Sequence, residues 1–198
     1  MEKKPNIIFL LEDQQQAQAI ESGHFCLTPH IEKLKRDSVT CDRAHTCNAV
    51  CSPSRATLMT AMLPHRHGMV DCAHAVPPYR ALYDRDLDTL PQALKDSGYA
   101  MSYYGKWHVE RSNHLEDFGF DEYETEVTIP KFSLTPVDKV TIHTEQYADK
   151  VICGVFAEDA SCTEESYIYD KAMDFIERQQ GTGQPLSLIH ISEPTRLA

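Results

Sequence analysis

The chain has 198 residues, with 19 Lys+Arg against 30 Asp+Glu and a formal charge of −11; that balance excludes the basic face with which nucleic-acid binders meet phosphates. Hydrophobic residues make up 41% of it, enough for a globular domain of ordinary size. The longest apolar run near the start, Ile7 to Leu11, is five residues, against about 7 to 15 for a signal-peptide core and about 20 for a membrane helix.

The sequence therefore reads as soluble, not membrane-bound and without an export signal, with a cytoplasmic, reducing location expected. Seven cysteines (Cys26, Cys41, Cys47, Cys51, Cys72, Cys153, Cys162) cannot all pair within one chain. No C-x-x-C pair occurs and the ten histidines are scattered, so no spacing matches a zinc site.

Asn6 to Leu11 is predicted as a fully buried strand, opened by Pro5 and closed by Glu12-Asp13-Gln14, and a strand stopping on a carboxylate suggests a site at its carboxyl end. Thr28-Pro29 reads as an N-cap followed by proline at the first helical position, with Ile31, Leu34 and Ser38 on one face. Ser52-Pro53 repeats that signature ahead of an apolar helix carrying Ala56, Met59, Ala61 and Met62.

A third helix is predicted from about Leu90 to Ser97, started by Pro91 and ended by Gly98, and a buried strand from Tyr99 to Tyr104 leads into Gly105-Lys106-Trp107-His108. Val127 to Ala148 has no clear period and is read as an excursion outside the sheet. Ser161-Cys-Thr-Glu164 fits a capping box for a fourth helix with Ile168, Ala172, Phe175 and Ile176 at helical spacing. Strands alternating with helices give an α/β fold with a largely parallel sheet.

Chemistry concentrates at Cys51-Ser52-Pro53-Ser54-Arg55. A cysteine just ahead of a proline-started helix sits where the backbone dipole favours an anion or a nucleophile, and Arg55 about one turn on brings a guanidinium to the same point. Cys51-x-Pro53-x-Arg55, continuing Ala56-Thr57-Leu58-Met59-Thr60, resembles the signature of the type I sulfatases, whose cysteine is oxidised after translation to formylglycine. Ordered matches extend the resemblance: Pro5 to Asp13, Thr28-Pro29-His-Ile, Pro64-His-Arg-His-Gly68, Gly105-Lys-Trp-His108, Leu115 to Tyr123 and, more weakly, Lys171 to Arg178.

The resemblance implies a three-layer α/β/α sandwich of the alkaline-phosphatase type and a sulfuric ester hydrolase. On that resemblance one hydroxyl of the hydrated formylglycine would attack sulfur and expel the alcohol, and the second would lose its proton and expel sulfate, restoring the aldehyde. It assigns the formylglycine to Cys51, which is also a metal ligand. It gives Arg55 the role of holding the diol and offsetting charge, and makes Lys106 and His108 ligands of the hydrate and the sulfate oxygens. The metal, Ca²⁺ or another divalent ion, takes Asp13 and Gln14 as hard oxygen ligands; a Glu12-Asp13 pair is disfavoured because alternation turns Glu12 away. Implied partners are a small-molecule or carbohydrate sulfate ester and a formylglycine-generating maturation enzyme.

Two departures stand out. Asp13-Gln14 replaces the usual pair of aspartates, as in choline-sulfatase-like and phosphonate-hydrolase-like relatives, which keeps a phosphonate or phosphate ester hydrolase as the alternative. Thr60-Ala61 replaces Thr-Gly, with only a packing effect expected. Trp107 reads as packing, His65 and His67 as shaping a turn, and His45 and His74 as near the nucleophile in sequence only. The six other cysteines read as core or surface thiols.

Residues 1–186 read as the N-terminal part of the catalytic domain, where the family continues with a buried strand after Gln184-Pro185. Residues 187–198, Ser-Leu-Ile-His-Ile-Ser-Glu-Pro-Thr-Arg-Leu-Ala, resemble a translated sequencing adapter and are expected to be a non-native tail. His190 is accordingly not taken as a catalytic histidine, and the chain as given is expected to be an inactive fragment.

Overall fold

The computed structural model describes residues 3–13, 15–21, 26–77, 79, 86–145 and 150–192. Its elements in chain order are β1 Ile7–Glu12, α1 Pro29–Arg36, α2 Cys51–Thr60, α3 Pro64–His67, α4 Leu90–Asp96, β2 Ala100–Gly105, β3 Glu122–Glu124, β4 Pro136–Ile142, β5 Lys150–Phe156, α5 Glu164–Gln179 and β6 Leu186–Ser192. Four strands form one sheet in the order β1-β6-β2-β3, every pair parallel, and helices cover both faces, as the α/β reading expects.

Register sorts the side chains. Tyr103 pairs with Ile189 and Gly105 with Ile191, and this face carries Met101, Tyr103, Ile189 and Ile191 against Ala56 and Met59 of α2 and against Trp107, Phe118 and Phe120. The opposite face carries Ala100, Tyr104, Leu186 and Leu188 against Ile168, Ala172 and Phe175 of α5. Trp107 sits edge-on to Tyr103 at 5.2 Å and to Phe118 at 4.9 Å, which confirms it as core. Aromatic pairs in this arrangement add roughly 0.5–1.5 kcal/mol each beyond the area they bury.

β1 departs from its predicted full burial. Phe9 and Leu11 pack on the α2 side, but Ile8 and Leu10, paired with Leu188 and His190, are 51% and 60% exposed. β1 is an edge strand of this sheet, and α5 packs chiefly over β2 and β6. α1 forms where predicted, yet it buries no residue, Thr28 makes no side-chain cap and Ser38 lies beyond its end.

Three local readings are corrected by hydrogen bonding. α2 starts at Cys51 with Val50 as N-cap, because Asn48 Oδ1 accepts from Val50 N at 2.7 Å and sets the turn two residues early; the Ser52 hydroxyl is thereby released to accept from Ala73 N at 3.0 Å. α5 is capped by Thr163, whose hydroxyl accepts from Ser166 N, while Asp159 caps a short 3-10 turn at Ala160–Cys162. Ala61 holds φ +55° as the C-cap of α2. The departure from Thr-Gly is therefore a backbone strain of about 1–2 kcal/mol and not a packing effect.

The stretch from Val127 contributes β4 to a separate two-stranded antiparallel sheet with β5, outside the main sheet as expected; residues 146–149 lie outside the described residues. The inner strand β6, Leu186–Ser192, takes in Leu186 of the part read as domain and the first six residues of the 187–198 stretch read as a tail, with Leu188 and Ile191 each 1% exposed. Residues 193–198 lie outside the described residues.

Candidate functional site

Parallel strands deliver their carboxyl ends to one edge of the sheet, where α/β folds bind ligands. Asp13 follows β1 and Lys106 follows β2, and β6 holds those ends level by pairing Leu11 and Gly105 with the same residue, Ile191. The Lys106 ammonium donates to Asp13 Oδ2 at 2.8 Å. Arg55, one turn into α2 and 3% exposed, donates to the same oxygen at 3.2 Å.

The other guanidinium nitrogen of Arg55 donates to the carbonyls of Lys106 and Trp107, and the Tyr103 hydroxyl also donates to the Lys106 carbonyl. The strand end, the helix start and the acid thus form one part-buried, charge-assisted network. Burial acts to raise the pKa of Asp13, but the hydrogen bond and charge of Lys106 and the charge of Arg55 outweigh it and hold it below the ordinary carboxylate value. Burial pushes the pKa of Tyr103 well up, so it stays a donor.

Because the folded pKa of Asp13 is depressed, its contribution is complete above the unfolded carboxylate value and is lost as pH falls through the folded one. Asp13→Asn is expected to cost about 2 kcal/mol at pH 7. Urea melts of wild type and variant in chelator are expected to converge as the pH is lowered below about 4; a gap that persists at pH 3 would contradict the ion-pair account.

Cys51 occupies the first turn of α2, and its sulfur, the sulfur of Cys72 and a ring nitrogen of His108 all lie within 4.8 Å of one another. Burial raises the pKa of the Cys51 thiol and Cys72 raises it further, outweighing the Lys106 charge and the backbone N–H of Ser52. The helix-start position therefore does not yield a ready thiolate, and Cys51 is not primed as a thiol nucleophile in its unmodified form.

His108 is buried, holds φ +45°, stacks on His74 at 4.6 Å and has Nε2 at 3.8 Å from Cys72 Sγ. A left-handed histidine is the kind of strain that clusters at functional sites. The Cys72 loop is tied down from both sides. Ser52 Oγ holds Ala73 N, while Arg111 donates to the Ala73 carbonyl at 2.7 Å and the Val76 carbonyl at 2.6 Å.

Sequence reasoning therefore named Cys51, Arg55, Lys106, His108 and Asp13, and the fold brings all five to one edge; Gln14 lies outside the described residues. It missed Cys72, Tyr103, Arg111 and Glu126, whose carboxylate accepts from Trp107 N at 2.7 Å. Only the φ of His108 and the return of the 72–76 loop, both tertiary, point to them.

His67 is buried, with Nδ1 accepting from Met69 N at 3.1 Å and Nε2 bonded to the Thr57 hydroxyl at 3.0 Å. Burial lowers its pKa, so it holds the turn after α2 in neutral form. Glu12 stands on the α5 side, where its charge acts on Tyr169. His190 alternates with Leu186 and Leu188 toward α5 and tilts against Tyr169 at 4.2 Å, away from α2.

An open pocket of ≈ 480 Å³ lies beside α2, lined by Leu11, His45, Thr46, Ser54 and Arg55 among others. A larger depression of ≈ 800 Å³ lies at the amino ends of the strands, around Asn6, Gly98 and Gln184, with none of the site's residues in it. For a divalent ion, Asp13 fits as one hard ligand. It already carries two cations, whereas Ca²⁺ takes roughly six to eight oxygens.

The chain matches the family model named Sulfatase over residues 5–194. It is 33% identical over 178 residues to the N-acetylgalactosamine-6-sulfatase of Sus scrofa, covering 81% of this chain and 33% of that protein. With the N-acetylglucosamine-6-O-sulfatase of Bacteroides thetaiotaomicron it shares 31% identity over 123 residues, 61% of this chain and 20% of that one. The chain thus spans a fifth to a third of the length of these relatives.

Among solved structures, a putative sulfatase YidJ from Bacteroides fragilis matches with a TM-score of 0.73 at 23% identity, over 98% of this chain and 44% of that one. A phosphonate monoester hydrolase from Silicibacter pomeroyi matches at 0.66 and 18%, over 95% and 41%. These two likenesses show the shared α/β fold alone. Sulfatases generally use a formylglycine and a divalent metal. With residues 5–194 of its 198 matched by the family model, the chain belongs to the sulfatase family, on the alkaline-phosphatase-like α/β fold.

Proposed function

We propose that the protein hydrolyses sulfate esters of carbohydrates, with Cys51 converted to formylglycine by a maturation enzyme as its nucleophile. The observation that carries this reading is the meeting of Cys51, at the start of α2, with His108, from the end of β2, within 4.8 Å. When formed, the aldehyde supplies a hydrated nucleophile that a thiol cannot.

The residues of this chain do the rest. Arg55 and Lys106, already locked on Asp13, set two fixed positive charges beside the reacting group and offset the charge that builds on sulfate oxygens. His108, held by the strained turn after Lys106, is placed to hold or pass a proton at a ring nitrogen. Among the described residues Asp13 is a ligand for a divalent ion, and its hard oxygen suits Ca²⁺. The carbohydrate class rests on relatives named as hexosamine 6-sulfatases and on a structural neighbour solved with D-glucosamine-2-N,6-O-disulfate.

Mass spectrometry tests the reading directly. In protein co-expressed with a maturation enzyme, the tryptic peptide containing Cys51 is expected to carry an aldehyde in proportion to activity; a fully active preparation with an unmodified thiol overturns it. Measuring kcat/KM on an aryl sulfate and an aryl phosphonate separates the phosphonate alternative, which rests on Asp13-Gln14 and a shared fold.

A further inference from the structure

In the unconverted protein, two thiols and an imidazole converge where the sequence spacing shows no metal pattern. Cys51 comes from α2, Cys72 from the tied loop and His108 from the end of β2. Tetrahedral Zn²⁺ with bonds of about 2.3 Å to sulfur and 2.05 Å to nitrogen separates a sulfur from a nitrogen by about 3.6 Å and two sulfurs by about 3.8 Å. Cys72 Sγ already lies 3.8 Å from His108 Nε2, and no pair in the triad exceeds 4.8 Å, so closing on an ion takes side-chain shifts of about 1 Å at most.

The frame is prepared as well. Ser52 and Arg111 fix the loop of Cys72, and the half-buried thiols and buried imidazole give up little solvation or freedom on binding. Sulfur and nitrogen donors with no carboxylate among them select a soft divalent ion over Ca²⁺.

We propose that Cys51, Cys72 and His108 form a site for a thiophilic divalent ion of the Zn²⁺ class in the unconverted chain, with the fourth position left to solvent. Cys51 is both a ligand here and the residue converted under the proposed function, so on that reading conversion removes the site, and a bound ion shields Cys51.

The test is titration with Co²⁺, then displacement by Zn²⁺, of the chain made without a maturation enzyme and kept reduced; its outcome is independent of sulfatase turnover. One equivalent of Co²⁺ is expected to bind with near-ultraviolet thiolate-to-cobalt absorption, and Zn²⁺ to protect Cys51 from alkylation in peptide mass spectra. Cys72→Ala and His108→Ala are each expected to weaken binding roughly tenfold or more. Cys72→His, which keeps a donor, retains binding with weaker charge-transfer absorption and guards against a mere folding defect. Binding unchanged in both alanine variants, with the ion on exposed thiols such as Cys41 and Cys47, overturns the proposal, as does the absence of thiolate-to-cobalt absorption in the wild type. Failure of Cys51 to convert in metal-free protein tells against the sulfatase reading and leaves the site standing.

Discussion

Cys51→Ala, in the full-length protein made with a maturation enzyme, is expected to lower kcat/KM on a sulfate ester by on the order of 10⁵-fold, the scale on which loss of a covalent nucleophile is felt. Cys51→Ser is expected to fall equally when the co-expressed maturation enzyme oxidises only cysteine, because an unoxidised serine offers one hydroxyl where the aldehyde hydrate offers two. The side chain is half-buried in the first turn of α2 and its thiol does not cap the helix, so circular dichroism and melting temperature should stay close to wild type. Lys106→Ala leaves the nucleophile and removes one charge; about 10²–10³-fold is expected for it. If Cys51→Ala retained activity within tenfold of wild type, the nucleophile would have to be sought elsewhere.

Gly105→Ala is expected to be strongly destabilising. Gly105 holds φ +105°, and an added Cβ would stand 2.0 Å from the Ile191 carbonyl oxygen and 2.9 Å from its carbon. Neither is a flexible side chain. Relief requires β2 and β6 to part at the point where Lys106 N donates to that same carbonyl at 3.3 Å. Strain and clash together should cost about 3–4 kcal/mol, or about 10 °C in melting temperature for a chain of this size. Gly98→Ala is the control: φ +87° with nothing within 4 Å of the new Cβ, so about 1–2 kcal/mol of conformational strain alone. Equal losses at the two positions would refute the close-approach argument.

The sequence made the site legible in proportion to how local its signals were. Proline and glycine punctuation located α4 and β2 to within a residue, and the apolar spacing of Ile168, Ala172 and Phe175 marked the buried face of α5. Cys51 and Arg55 were legible because one helical turn relates them, and Asp13 and Lys106 because each directly follows a strand. What periodicity misses is which neighbour a strand receives. Ile8 and Leu10 read as core from composition, yet an edge position leaves their face open. Cys72 carried no local signal at all, since its place beside His108 depends on Arg111 and Ser52, which are distant from it in sequence. The start of α2 was misread by two residues because the Asn48 side chain, not Ser52, organises the turn.

The strand order also sets a timetable. β1 and β2 share no hydrogen bonds; each is joined to β6, which comes some eighty residues after the second of them. During synthesis the acid after β1 and the lysine after β2 therefore have no common scaffold until residues 186–192 have left the ribosome. Closing so large a loop is slow. Until then two strand edges stand unpaired, β1 with Ile8 and Leu10 on it, a standing invitation to intermolecular pairing. Refolding rate and yield should accordingly depend on β6 more than on any other element, and a chain stopped before residue 186 should be the form most prone to aggregate.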